Sequence, residues 1–415
     1  MDKGLGMYRN PSARSWTAST NPQVKGPGQP VSNQDSSKLE RPGQLSRNQL
    51  GNQTDDPSQL DGDQVGSQVE GLSEGRGTHA IVAAGGPGAL SGDPRALHRE
   101  LPGFEPMPLI EVPELARELR VRRVLVKDEH LRAGLPSFKI LGAAWAIFKG
   151  LGGTTTLEDL EVDPETTLVS ATAGNHGRAV AYMAKLLNLK ARIFIPAGTA
   201  TARIEAIRSE GAQVEVIEGD YQEAVRQAEA TANKNPKAFL AADVGDSMTP
   251  IWATQGYRTI LREIDEQLAE APDLVVVPVG AGAFASAVVQ HYRGDGHRPK
   301  ILTVEPDTAA CLQKSLHAGK PVNVPGPHPS SMAGLNAGDV DAHAWPYLKN
   351  GVDAAVTVTD EEANKAMHDL ASHNIIAGEC GAASLAGARA FKHELTRDSV
   401  VVLISTEGVH DSVSR

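Results

Sequence analysis

Leu168-Val-Ser-Ala-Thr-Ala-Gly-Asn-His-Gly177 is the stretch on which the fold class turns. Residues 168–172 form a short apolar run that closes on small side chains. From 177 to 189 the spacing changes, and Val180, Met183, Ala184 and Leu187 fall on one helical face. The stretch therefore predicts a buried strand, a glycine turn and a helix. The alternation continues outward. Residues 192–195 are strand-like and end at Pro196, 201–210 are helix-like and stop at Gly211, and 213–217 are strand-like again. Farther on, 274–279, 300–304 and 400–405 read as buried strands, with helical stretches such as 360–373 and 382–394 between them. This order predicts an α/β protein whose sheets are mostly parallel and flanked by helices.

The chain has 415 residues, enough for two domains. Its formal charge is −11, and no long run of Lys and Arg offsets it. A nucleic-acid partner is not expected, because a phosphate backbone needs a basic footprint. Residues 1–78 are rich in Gln, Asn, Ser, Gly, Pro and Asp, with Tyr8 and Trp16 as their only aromatics. Such a segment buries too little apolar surface to offset the entropy of ordering, so a disordered polar tail is expected. The opening residues MDKGLGMYRN contain no apolar run of the secretory-signal kind. Residues 274–289 are mostly apolar, but Pro278, Gly280 and Gly282 interrupt them and they are too short to span a membrane. Cys311 and Cys380 are too few for a disulfide framework or a cysteine-based metal site. They are expected to be free thiols of a cytoplasmic protein, and no metal is expected.

Three segments carry chemistry. In Leu135-Pro-Ser-Phe-Lys-Ile-Leu-Gly-Ala143, Lys139 stands at the start of a helix-like stretch. Partial desolvation there would favour the neutral amine that a carbonyl-binding lysine needs. In Ser170-Ala-Thr-Ala-Gly-Asn-His-Gly-Arg178, Gly174 and Gly177 permit close backbone approach, and free N–H groups at the helix start favour an anionic group. In Val277-Pro-Val-Gly-Ala-Gly-Ala-Phe-Ala-Ser286, a buried strand runs into small residues whose N–H groups can converge on a phosphate. No Walker-type Gly-Lys-Ser/Thr follows, and Ala285 stands where a dinucleotide fingerprint wants its third glycine. Taken singly, each has an ordinary alternative: a solvated lysine, or a plain strand–helix turn.

Taken in order, Ser137-Phe-Lys139, Gly174-Asn-His-Gly177 and Gly280-Ala-Gly-Ala283 resemble the pyridoxal-phosphate enzymes of the tryptophan-synthase-β and threonine-dehydratase type. The likeness runs from about residue 105 to the end. Within that group the chain is most similar to diaminopropionate ammonia-lyases. Arg178, Val304-Glu-Pro-Asp-Thr-Ala-Ala-Cys311, Ser331-Met-Ala-Gly-Leu335, Gly378-Glu-Cys-Gly-Ala382 and Ile404-Ser-Thr-Glu-Gly408 carry that likeness.

The resemblance implies a smaller domain, 141–255, and a larger one, 79–140 plus 256–415, with the cofactor pyridoxal 5′-phosphate in the cleft between them. It implies Lys139 as the Schiff-base lysine and Asn175 as the contact to the cofactor's 3′-oxygen. The backbone of Gly280, Ala281, Gly282 and Ala283 would hold the phosphate. Ser405 would face the pyridine nitrogen, where a neutral hydroxyl suits β-elimination. Asp243 would be an acid–base carboxylate for an L-amino acid. One position departs from the pattern. The family resemblance expects an Asp before Gly-Asn-His-Gly, but Ala173 stands there and cannot take a proton. Turnover of the D-isomer is therefore not expected. The implied activity is β-elimination of a small amino acid, 2,3-diaminopropionate, to pyruvate and ammonia, in a homodimer. A serine- or threonine-type dehydratase on the same scaffold stays open because of Ala173 and of Cys380, which replaces the pattern's Ser. A non-catalytic cofactor-binding protein is a third reading, against which Lys139, Asn175 and Ser405 argue.

Overall fold

The computed structural model describes residues 6–17, 92–172, 174–294 and 297–409. Two sheets organise them. The strands are β1 (Tyr8–Arg9), β2 (Leu109–Glu111), β3 (Arg123–Asp128), β4 (Thr167–Ala171), β5 (Lys190–Pro196), β6 (Gln213–Ile217), β7 (Ala238–Leu240), β8 (Leu274–Pro278), β9 (Lys300–Pro306), β10 (Ala354–Val358) and β11 (Val400–Ser405). The smaller sheet has the order β6-β5-β4-β7 and is parallel throughout. The larger has the order β1-β10-β9-β8-β11-β3-β2, with only the two edge pairs antiparallel.

Burial explains why the central strands were readable. β8 and β11 are buried at every position, as strands with helices on both faces must be. The edge strand β6 has no buried residue. β3 was harder to read because its inner face carries Lys127, which is fully buried and donates to Glu263 at 2.6 Å. Glu263 also receives two bonds from the buried Arg132, at 2.8 Å each, and Arg132 grips Glu129 besides. Each buried charge is thus paired.

The structure differs from the composition-based expectation over residues 6–17. β1 pairs with β10 (Tyr8 opposite Ala355), Asn10 N donates to Asp353 O at 2.7 Å, and Ala13 is fully buried. Trp16 meets the Tyr347 ring edge-on at 6.2 Å. A segment with few apolar residues can dock here because the open edge of β10 supplies backbone partners. The rest of the expected tail, residues 18–78, lies outside the described residues.

Among the described residues, no helix is long and apolar enough to cross a membrane, and no group of three or more His, Cys, Asp or Glu side chains could hold a metal ion. Cys311 and Cys380 are both free and buried.

Candidate active site

The turns after β4, β7, β8 and β11 all leave the carboxyl ends of their strands, where ligands bind in parallel α/β sheets. They converge on a cavity of about 630 Å³ whose wall includes Lys139, Asn175, His176, Asp243, the 280–283 turn, Cys380 and Glu407.

Lys139 is the first residue of the helix Lys139–Gly150. The residue before it, Phe138, packs against the rings of Tyr257 and Phe284, with centroids 4.8 and 4.5 Å away. Buried His98 bridges this helix to the next layer, bonding Leu141 O at 2.9 Å and Thr259 Oγ1 at 2.8 Å. Burial holds His98 neutral, with its pKa lowered to about 4. The lysine is therefore mounted on a fixed base.

Lys139 Nζ donates to Asp243 Oδ2 at 2.9 Å. Asp243 reaches this position because the chain beyond β7 is stitched to β4. Ala241 N donates to Val169 O, Ser170 Oγ to Ala241 O at 2.8 Å, and His176 Nε2 lies 3.0 Å from the same carbonyl. His176 Nδ1 is then 3.6 Å from Asp243 Oδ1. Burial opposes both charges of the pair, but mutual attraction outweighs it. The carboxyl pKa falls to about 2, with Lys139 and His176 as the causes, and that of the ammonium rises. Facing Asp243, the Lys139 amine is held more basic than desolvation alone would leave it.

Asn175 opens the helix Asn175–Leu186, and its Nδ2 donates to Glu407 Oε2 at 2.7 Å. The turn Gly280-Ala-Gly-Ala283 begins the helix Ala283–Tyr292. Among the described residues, none of the four N–H groups from 280 to 283 donates to another protein group. Gly282 has φ +103°, and a Cβ there would lie 2.6 Å from Leu348 Cδ1, so only glycine fits. Ser405 ends β11. Its Oγ is buried with no hydrogen-bond partner, and Ser405 is not among the residues lining the cavity, whereas Thr406 and Glu407 are. Ala173 lies outside the described residues.

Sequence reasoning brought Lys139, Asn175, Asp243 and the 280–283 turn to one cavity. It missed Arg203, Tyr221 and Glu407, which also line it. The signal for Glu407 was present in Ile404-Ser-Thr-Glu-Gly408, two residues beyond Ser405. Arg203 lies on the helix Thr201–Arg208 and Tyr221 opens the helix Tyr221–Lys234.

The family model for pyridoxal-phosphate dependent enzymes matches residues 101–407. The diaminopropionate ammonia-lyase of Escherichia coli strain K12 is 34% identical over 350 residues, covering 76% of this chain and 88% of that protein. The crystal structure of Escherichia coli diaminopropionate ammonia lyase in complex with an aminoacrylate–PLP azomethine intermediate superposes with a TM-score of 0.70 at 32% identity, covering 77% and 88% of the two chains. The processed form of threonine deaminase isoform 2 from Solanum lycopersicum is more distant, with a TM-score of 0.64, 26% identity, and coverage of 74% and 80%.

The residues present fit the cofactor. Among the described residues, four N–H groups at a helix start have no protein partner and match a phosphate, and a lysine stands in the same cavity. The chain belongs to the pyridoxal-phosphate dependent enzymes, and its cofactor is pyridoxal 5′-phosphate.

Proposed function

We propose that this enzyme eliminates the β-amino group of L-2,3-diaminopropionate, giving pyruvate and two molecules of ammonia. The observation that carries the reading is the Lys139–Asp243 contact at 2.9 Å in the cavity wall, in a chain 34% identical to a diaminopropionate ammonia-lyase. Pyridoxal phosphate, when bound, supplies the electron sink for the charge left as the α-proton departs.

The other roles belong to the chain. Lys139 Nζ carries the cofactor, the N–H groups of Gly280, Ala281, Gly282 and Ala283 hold its phosphate, and Asn175 contacts its 3′-oxygen. The Ser405 hydroxyl is assigned to the ring nitrogen, a partner that would satisfy its unpaired oxygen. The N-terminus of the helix Asn175–Leu186 would receive the substrate's carboxylate. Asp243, in its ionised form, takes the α-proton, and Lys139 Nζ, 2.9 Å away, relays a proton to the departing amine. With Ala173 in place of a carboxylate, that position supplies no base for the D-isomer.

The same reading makes the protein a cytoplasmic homodimer, with the smaller domain at 141–255 and the larger at 79–140 plus 256–415. The buried free thiols suit a reducing compartment. Light scattering on the eluted holoenzyme tests the dimer.

Ala173 and Cys380 favour one alternative, a dehydratase acting on serine or threonine. Pyruvate release from L-2,3-diaminopropionate, its D-isomer and L-serine, assayed in parallel with added cofactor, separates the two. Rapid release from the L-diamine and little from the D-isomer supports the ammonia-lyase. Rapid release from L-serine alone rejects it and keeps the cofactor chemistry.

A further inference from the structure

Among the described residues, the cavity wall holds two carboxylates, Asp243 and Glu407. Asp243 is engaged with Lys139. Glu407 is turned to Asn175, whose Nδ2 donates to its Oε2 at 2.7 Å, and only 6% of Glu407 is exposed.

The backbone of Glu407 is fixed from two directions. Gly378 N donates to Glu407 O at 2.9 Å. Ser137 and Glu407 form an antiparallel bridge, and Gly408 N donates to Pro136 O at 3.0 Å. The residue therefore lies against the segment that leads into Lys139, while its side chain reaches the first residue of the helix Asn175–Leu186. It joins the two parts of the chain to which cofactor contacts are assigned.

The chemistry of the pair is directional. A primary amide has an accepting oxygen at one end and a nitrogen with two donors at the other, whereas an ionised carboxylate only accepts. A carboxylate at 2.7 Å thus fixes which end of the Asn175 amide faces it. One N–H is taken, and the second, on the same nitrogen, remains to donate. Turned over, the amide would set its oxygen against Glu407.

We propose that Glu407 is a positioning residue for cofactor binding: it locks the Asn175 amide with its NH₂ end available, so that Asn175 donates to the anionic ring oxygen of pyridoxal phosphate. This rests on the reading above that Asn175 contacts the cofactor.

A double-mutant cycle tests it, read as the dissociation constant of pyridoxal 5′-phosphate titrated into apo-protein. Asn175→Ala and Glu407→Ala should each weaken binding by roughly 10- to 100-fold, the worth of a charged hydrogen bond. The double variant should bind within about twofold of Asn175→Ala alone if the effect of Glu407 on the cofactor passes through Asn175. Glu407→Gln, whose carbonyl still accepts, should recover most of the affinity. If Glu407→Ala does not fold, Glu407→Met fills a similar volume without a comparable acceptor and runs the same cycle. Equal losses from the Glu407 substitution in both backgrounds would mark it as structural and overturn the proposal, as would no loss in the wild-type background. Unchanged affinity in Asn175→Ala would instead remove the Asn175 contact itself, and the proposal with it.

Discussion

Lys139 and Asp243 set the behaviour of the site at the residue scale. Asp243 raises the proton affinity of Lys139, and carbonyl chemistry at Nζ needs the neutral amine. Cofactor loading should therefore speed up as pH rises. In Asp243→Asn the carboxylate is gone, the lysine loses its proton more readily, and the rise should come at lower pH. Stopped-flow absorbance after mixing apo-protein with cofactor measures this. A rise at the same pH in both proteins would show that Asp243 does not hold the ammonium. The same variant should lose turnover by about 10²–10⁴-fold, the usual worth of a general acid–base group. Borohydride reduction of the holoenzyme followed by peptide mass spectrometry should find the pyridoxyl adduct on Lys139.

Elements hold these residues in place through buried charge. Lys127 on β3, Arg132 after it and Glu263 on the helix Arg258–Gln267 form one network away from water. Removing Glu263 leaves two buried cations short of a partner. Glu263→Ala should cost about 3–5 kcal/mol in urea unfolding, and a loss under about 1 kcal/mol would mean that the network relaxes freely. A second buried acid gives a pH signature. Glu305, at the end of β9, accepts from Leu312 N and Gln313 N at 2.7 Å each, yet burial pushes its pKa up to about 8. A carboxyl whose folded pKa exceeds its unfolded value binds more protons folded than unfolded. Its contribution to stability therefore falls as pH rises from about 4 to about 8, by at most about 1.4 kcal/mol per pH unit, and is flat above that. Glu305→Gln should remove this slope. Parallel slopes in variant and wild type would place the titration elsewhere.

At the scale of the whole molecule, the sequence was legible where one force acts alone. The central strands β8 and β11 are apolar on both faces, so runs of Val, Leu and Ile announced them. The glycine turns after β4 and β8 were readable because neighbouring protein atoms leave no room for a side chain: a Cβ at Gly177 would lie 2.1 Å from Thr172 Cγ2 and one at Gly282 2.6 Å from Leu348 Cδ1. Long-range pairing was not legible. β3 hides a buried lysine whose partner is 136 residues away, and Glu407 meets Asn175 across 232 residues. Residues 6–17 were misread because they dock through backbone bonds to β10 and a few ring contacts, which composition does not register. Deleting residues 1–17 should lower the melting temperature by exposing the edge of β10, while leaving the Lys139 adduct intact. An unchanged melting temperature would show that this arm adds nothing to stability.

The ratio of ammonia to pyruvate released from L-2,3-diaminopropionate by the holoenzyme, with Lys139→Ala as the control, bears most directly on the central claim. The account predicts two ammonia molecules for each pyruvate in wild type and no turnover in the variant. No pyruvate from the diamine, or wild-type turnover without Lys139, would contradict it.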